Sequence, residues 1–188
     1  TTPRSSMILL LPQPERVGRL ILLSAGCRMN AQGLGFNSVA RHSIINDPNF
    51  NGGDYYGGEP PLMGLAAARM LAHLTYLSAE SLGHQFGRRF QDKSGPDFTL
   101  TGVEFEVESY LKHQGESFVR RYDANSYLYI TRALDYYDAS VLGEGDPVRA
   151  AARIKPRTLG VSFFSDRLFS PQLSRELCSA MCADGRAV

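Results

Sequence analysis

The sequence predicts an α/β fold in which parallel-sheet strands flank a large helical insertion. Two apolar runs, "RLILLSAG" (19–26) and "LGVSFF" (159–164), are typical of strands buried in a parallel sheet. Between them, residues roughly 30–150 form a block of about 120 residues with mostly helical periodicity. An insertion of that size between two sheet strands is typical of a lid over the C-terminal edge of the sheet.

Composition limits the classes of function. The chain has 188 residues, 43% of them apolar and 21% charged, which is ordinary for one soluble domain. A formal charge of +1, with no run of like charge longer than two residues, argues against a nucleic-acid or anionic-membrane surface. The apolar run "MILLL" (7–11) is too short to span a membrane. We therefore expect a soluble protein without a nucleic-acid or membrane partner.

The three cysteines are Cys27, Cys178 and Cys182, an odd number with no CxxC pair. They favour packed free thiols over a metal site, because a structural metal needs more ligands. Free thiols fit a reducing, cytoplasmic setting. The "GGDYYGG" run lacks the preceding strand that a dinucleotide loop requires, so no cofactor is expected.

The insertion divides into helices at recognisable signals. A first helix (37–48) should end at Asp47 and Pro48, and a Gly/Pro loop (51–61) follows. Residues 62–90 suggest two helices that meet near Ser78. Residues 105–138 suggest a further pair, with Gly115 as a possible break and Asp123 as a candidate N-cap.

The last part of the chain returns to the sheet. After a turn (143–147), the pattern predicts a short helix (148–154), a strand (158–164), a helix (171–183) and the first residue of another strand in "GRAV". We assign 1–29 and 151–188 to the sheet core and 30–150 to the insertion. Because two strands do not make a stable parallel sheet, we expect either a reworked segment 1–12 or a larger parent protein.

Asp166 follows the second apolar run directly. A carboxylate there has two interpretations. It can form a turn or cap a helix, since Asp is favoured at both. Alternatively, it lies at the C-terminal end of a parallel strand, where open α/β sheets place their functional residues. Position alone favours the turn.

Several long motifs resemble one family. The segments "PERVGRLILLSAGCRMNAQGLGFNSVARHSIINDPNFNGGDYY", "GLAAARMLAHLTYLS" with "FGRRFQDK", "FEVESYLKHQGESFVRRYDANSYLYITRALDYYD" and "GVSFFSDRLFSPQLSREL" occur in the order of the homoserine O-acyltransferases of α/β-hydrolase fold. The resemblance covers about Pro14 to Val188. It implies part of an α/β-hydrolase fold with a large inserted helical lid. It also implies acyl transfer from acetyl-CoA, or succinyl-CoA in some members, to the hydroxyl of L-homoserine in methionine biosynthesis.

The resemblance also implies roles for three residues. Asp166 matches the aspartate of a Ser–Asp–His triad that works by a ping-pong mechanism, where it would orient the histidine. Arg69 and Tyr76 match substrate-pocket residues, and Arg69 would hold the homoserine carboxylate. Their seven-residue spacing puts them on one helix face. Without the resemblance, a surface arginine and a packed tyrosine are the simpler interpretation.

A row of tyrosines in the insertion is assigned to packing. Core packing and lid-mediated homodimerisation, the family's mode of assembly, explain these side chains better than chemistry does. The five are Tyr122, Tyr127, Tyr129, Tyr136 and Tyr137.

The rest of the triad has no match. The chain contains no G-x-S-x-G nucleophile elbow, and neither Ser5 nor Ser6 is flanked by glycine. The four histidines, all assigned as surface or packed residues, are His42, His73, His84 and His113.

We therefore expect a partial family member. The alternatives are an inactive remnant that keeps the dimerising lid, a succinyl donor, or a related acceptor such as serine. Exposed apolar strand edges would make the chain poorly stable.

Overall fold

The computed structural model describes residues 16–91 and 95–183. The segment "GRAV", Ser5 and Ser6 lie outside these residues, so the expectations for them are not addressed. Two strands, seven α-helices and two 3₁₀ turns are defined in the described part. They are β1 (Arg19–Leu23), α1 (Ala31–Ile45), a 3₁₀ turn (Asn51–Gly53), α2 (Leu62–Tyr76), α3 (Ala79–Gln85), α4 (Glu106–Val119), α5 (Ala124–Tyr136), a 3₁₀ turn (Ala139–Gly143), α6 (Pro147–Ala151), β2 (Arg157–Val161) and α7 (Pro171–Cys182).

The chain forms two compact units. Among the described residues, the sheet unit comprises 16–34 and 133–183, and the helical unit lies within Gly35–Arg132. The assignment of 30–150 as a lid remains a prediction.

The sheet unit contains the expected parallel pair. Strand β1 pairs with β2 in parallel, with Leu20 opposite Thr158 and Leu22 opposite Gly160. Leu22 is buried, 3% exposed, in a core with Ile154 and Leu177. The opposite face is not covered within the described residues, since Ile21 is 64% exposed. The expectation of a sheet covered on both faces is therefore not met there, because helix packing against only one face leaves alternate side chains in water.

Strand β2 ends earlier than predicted, at Val161 instead of residue 164. The N–H of Asp166 donates to the carbonyl oxygen of Phe163 at 3.1 Å, which closes a turn where the apolar run continues. Phe163 and Phe164 consequently point outward and are exposed. The apolar run is thus longer than the strand because a local hydrogen bond ends the ladder.

Helix α7 covers the buried face of the sheet unit. Pro171 occupies its first turn, where a missing N–H costs nothing. Leu173, Leu177 and Met181 recur at four-residue spacing and are buried. A side chain on Gly160 would meet Cys178 Sγ at 3.1 Å, so glycine at this point of β2 allows the helix to pack closely.

The helical unit is built around the pair α2 and α4. Gly115 lies inside α4, where an added Cβ would approach Ala66 Cβ of α2 at 3.1 Å. The prediction of a helix break at Gly115 is wrong. This glycine allows the two helices to approach, and helix packing offsets its low helix propensity. Gly64 approaches α1 more closely, since its Cβ would lie 2.8 Å from Ile44 Cα.

Side-chain caps define the helix starts. The Ser78 hydroxyl accepts the N–H of Ser81 at the start of α3, and the Asp123 carboxylate accepts the N–H of Ser126 at the start of α5. Both predicted boundaries are confirmed. Helix α1 begins earlier than predicted, because Asn30 Oδ1 accepts the N–H of Gly33 and caps it there.

The described residues hold three free cysteines and no cluster of three His, Cys, Asp or Glu side chains placed to hold a metal ion. Within the same residues, every helix is too short or too polar to cross a membrane.

Candidate functional site

Helix α2 presents one face with three polar-tipped side chains. The sequence "LMGLAAARMLAHLTY" is rich in strong helix formers and holds no run of β-branched residues. Arg69, His73 and Tyr76 lie four and three residues apart, so they share one face. The His73 and Tyr76 rings meet edge to face at 5.7 Å. These three residues, with Tyr110 and Phe118 of α4, are called the Arg69 cluster below.

Arg69 lies between two aromatic rings. Its guanidinium carbon is 4.8 Å from the centre of the Phe118 ring and 5.7 Å from that of Tyr76. Its Nε is buried without a hydrogen-bond partner. Within the described residues, the guanidinium forms no hydrogen bond or ion pair. The cation is therefore held by π-faces, and no anionic side chain of the described residues neutralises it.

The structure brings Arg69 and Tyr76 together, as their spacing predicts. Tyr76 is 56% exposed, so the mouth of the cluster is open to solvent. A role for either residue in binding a substrate remains a prediction.

His73 is a member of the cluster that sequence reasoning treated as surface or packing. Its Nδ1 lies 3.2 Å from the hydroxyl oxygen of Tyr110, and its Nε2 is buried with no hydrogen-bond partner among the described side chains and backbone. Burial, and then the positive charge of Arg69, hold the pKa of His73 below its usual value. The imidazole is therefore neutral near pH 7. The four-residue spacing between Arg69 and His73 was the sequence signal that could have placed His73 in this cluster.

Aromatic side chains of α4, of α5 and of the link between them pack around the Phe118 ring that contacts Arg69. Phe118 stacks on Tyr122 at 4.7 Å, and Tyr127 meets Phe118 edge to face at 6.4 Å. Burial, and then the neighbouring Tyr76, raise the pKa of Tyr127 to about 12, so it remains protonated. Tyr129 and Tyr136 are instead largely exposed, so the assignment to core packing holds only for the others of the row.

Asp166 lies in the sheet unit, beyond the C-terminal end of β2. Its Oδ1 accepts the backbone N–H groups of Leu168 at 2.9 Å and Phe169 at 2.8 Å. The turn-forming role is therefore present. Within the described residues, Oδ2 accepts no hydrogen bond. One oxygen fixes the loop and the other is available, so a catalytic role is compatible with the turn.

A cavity of about 580 Å³ lies within the sheet unit. Cys27, Arg28, Asp138 and Glu176 contribute to its lining. Burial, and then the charges of Asp138 and Glu176, raise the pKa of Cys27 to about 11. The thiol is therefore protonated and a poor nucleophile at neutral pH.

Sequence comparisons show the protein family to which the chain belongs. It is 47% identical over 178 residues to the homoserine O-succinyltransferase of Bordetella pertussis, covering 93% of this chain and 43% of that protein. It is 46% identical over 173 residues to the homoserine O-acetyltransferase of Solidesulfovibrio magneticus, covering 92% and 44%. The chain is homologous to the homoserine O-acyltransferases. It spans less than half the length of these curated relatives. No protein-family model matches it.

Solved structures agree on the fold. The homoserine O-acetyltransferase from Bacillus anthracis superposes with a TM-score of 0.84 at 19% identity, covering 96% of this chain and 48% of that one. Esterase E22 gives 0.82 at 24% identity, covering 96% and 49%. At such identities the likeness shows the fold alone. The chain is part of an α/β-hydrolase fold with a large helical insertion, as the resemblance implied.

Proposed function

We propose that this chain is the acceptor-binding part of an acyltransferase that moves an acetyl group from acetyl-CoA to the hydroxyl of L-homoserine. The observation that supports this most directly is the unpaired guanidinium of Arg69, held between Phe118 and Tyr76. A cation without a carboxylate partner, at the mouth of an aromatic cluster, suits the carboxylate of an amino acid. Tyr76 would line the same pocket.

Asp166 would act in the chemistry. With Oδ1 fixed by two backbone N–H groups, Oδ2 would accept the N–H of a histidine and stabilise its imidazolium form. That histidine, and a serine nucleophile, are implied by the family and have no match among this chain's motifs.

The reaction would balance in two steps. The serine oxygen bonds to the acetyl carbon, the thioester C–S bond breaks, and coenzyme A leaves as the thiol with the serine's proton, passed by the histidine. The homoserine oxygen then bonds to the same carbon, the acyl-serine bond breaks, and the homoserine proton returns to the serine. No cofactor beyond the acyl-CoA co-substrate is needed.

Succinyl-CoA is the alternative acyl donor. Relatives at nearly equal identity are named homoserine O-succinyltransferase and homoserine O-acetyltransferase. Release of free coenzyme A by the purified chain, with L-homoserine and either acetyl- or succinyl-CoA, distinguishes the two donors. Turnover that is abolished in Asp166→Asn supports the triad assignment. A folded chain that binds homoserine without turnover supports the alternative of an inactive remnant.

Acceptor binding is tested separately from turnover. Calorimetric titration with L-homoserine should show affinity at least tenfold lower in Arg69→Met, since about 1.4 kcal/mol of a charged hydrogen bond corresponds to that factor. Arg88→Met is the matched control, because Arg88 also lies over a ring, that of Phe105, at 5.7 Å. Equal affinity in wild type and Arg69→Met contradicts the assignment.

The helical unit would also form the homodimer contact. Its exposed apolar side chains support this proposal, among them Val39, Met63 and Tyr129. Analytical ultracentrifugation that compares the wild-type chain with Tyr129→Asp tests this proposal, and a monomeric wild type would contradict it.

The three free cysteines are consistent with a cytoplasmic location.

A further inference from the structure

His73 is fixed from two sides, but only one of its nitrogens has a hydrogen-bond partner among residues 16–91 and 95–183. Its ring meets Tyr110 edge to face at 5.7 Å with an interplanar angle of 87°, and Tyr76 at 5.7 Å. Nδ1 faces the Tyr110 hydroxyl at 3.2 Å. The imidazole is therefore attached to α4 by one nitrogen while the ring plane is held by two aromatic neighbours.

Two buried nitrogens of the Arg69 cluster have no hydrogen-bond partner in the part of the chain that the structure describes, and their residues lie one turn apart on one helix face. They are Nε of Arg69 and Nε2 of His73. Arginine Nε can only donate a hydrogen bond, whereas a neutral imidazole has one donor and one acceptor. If His73 Nδ1–H donates to the Tyr110 oxygen, Nε2 becomes an acceptor that complements Arg69 Nε–H. Leaving both unpaired is unfavourable, because buried polar groups are normally satisfied.

A different rotamer of the Arg69 side chain would allow this pair to form. In the structure its guanidinium rests on Phe118. Rotation toward His73 would join Nε–H to Nε2 and leave both Nη groups for a bidentate contact with a carboxylate. We propose that His73 is a positioning residue that accepts the Nε–H of Arg69 and so directs both Nη groups at the carboxylate of the acceptor amino acid. The identity of that carboxylate rests on the proposed function.

The charge state of His73 supports this arrangement. Burial and the charge of Arg69 both favour the neutral ring, and only the neutral ring can accept. Its known titratable or charged neighbours are Arg69 and Tyr76 on α2 and Tyr110 on α4. Protonation would place a second positive charge beside Arg69 and remove the acceptor.

The first test needs no ligand. Nitrogen-15 NMR of the imidazole of His73 in the free chain distinguishes the two neutral tautomers. A proton on Nδ1 is expected, and Tyr110→Phe should shift the population away from it. A proton fixed on Nε2 would overturn the proposal whether or not homoserine binds.

The second test is a titration with L-homoserine and with 3-aminopropan-1-ol, which lacks the carboxylate. His73→Leu should weaken homoserine binding about tenfold while leaving 3-aminopropan-1-ol binding unchanged. His73→Gln retains an acceptor near Nε2 and should remain within about threefold of wild type. The matched control is His84→Leu, an exposed histidine of α3.

The outcomes separate the two proposals. Homoserine binding that is lost in Arg69→Met but unchanged in His73→Leu overturns the role of His73 and leaves the acceptor site intact. Binding that is unchanged in Arg69→Met, or absent in the wild type, overturns the acceptor site and with it the role of His73. Equal losses for both probes in His73→Leu would mean a structural role only, which also overturns the proposal.

Discussion

The guanidinium carbon of Arg69 lies 4.8 Å from the centre of the Phe118 ring, and Phe118 is itself buried. This contact joins α2 to α4 across the middle of the helical unit. We expect a coupling of about 0.5–2 kcal/mol between the two residues, since a partly desolvated cation–π contact has this size. A double-mutant cycle with Arg69→Met and Phe118→Leu, measured by urea unfolding, provides the value. The pair of Arg88 and Phe105, at 5.7 Å, should couple more weakly, and equal coupling would contradict this account.

Two substitutions of Asp166 separate its effect on stability from its proposed role in catalysis. Asp166→Asn keeps an oxygen that can accept the N–H groups of Leu168 and Phe169, so the free energy of unfolding should change by less than about 1 kcal/mol. Asp166→Ala leaves both N–H groups without this acceptor and should cost about 1–2 kcal/mol. Urea unfolding of both variants distinguishes them. Equal losses would mean that the carboxylate charge, rather than the acceptor oxygen, holds the turn.

Gly64 tests how closely α1 and α2 must approach. A Cβ at this position would lie 2.4 Å from the carbonyl oxygen of Ser43, and backbone atoms cannot move aside cheaply. Gly64→Ala should therefore lower the free energy of unfolding by about 2–4 kcal/mol. Gly83→Ala in α3, where nothing lies within 4 Å, should instead raise it by about 0.5–1 kcal/mol. Similar effects at both glycines would contradict the packing described.

Acid should weaken the helical unit through Asp123. The hydroxyl of Tyr55 donates to Asp123 Oδ1 at 2.5 Å. Burial alone would raise the pKa of Asp123, but the hydrogen bonds from Tyr55 and Ser126 outweigh it and hold that pKa below its usual range. A carboxylate with a lowered folded pKa adds stability above its unfolded pKa of about 3.9, and this stability is lost as the pH falls through the folded value.

Asp123→Asn should thus be destabilising at pH 7, by about 1–3 kcal/mol for a charged hydrogen bond, and less destabilising at pH 2. Urea unfolding of wild type and variant across this range provides the comparison. An unchanged difference between pH 7 and pH 2 would exclude the ionised carboxylate as its source.

Local signals in the sequence predicted much of the fold. The helix junction near Ser78 and the N-cap at Asp123 could be predicted because each capping bond joins residues three apart in the sequence. The parallel pairing of β1 with β2 followed from two apolar runs around a helical segment. Gly115 was misjudged because its neighbour, Ala66, is distant in sequence and only the folded pair α2 and α4 brings them together.

In the candidate site, too, contacts between residues that are distant in sequence could not be predicted. Arg69 and Tyr76 share a helix face, so their proximity could be worked out from spacing alone. Phe118 and Tyr110 belong to another helix, and no local pattern connects them to Arg69. The unpaired state of the guanidinium and of His73 Nε2 depends on all surrounding side chains, so it becomes visible only in the structure.

The parallel pairing of β1 with β2 has a consequence for the order of folding. Leu23 and Arg157 enclose the entire helical unit in sequence, so the sheet cannot pair until that long segment has been closed into a loop. Loop-closure entropy opposes this step, whereas each helix forms from near neighbours. We expect amide protons of α2 and α4 to become protected from exchange before those of the strands during refolding. In the native protein the strand pair should then be the first part to open, so its amides should exchange by local opening rather than by global unfolding.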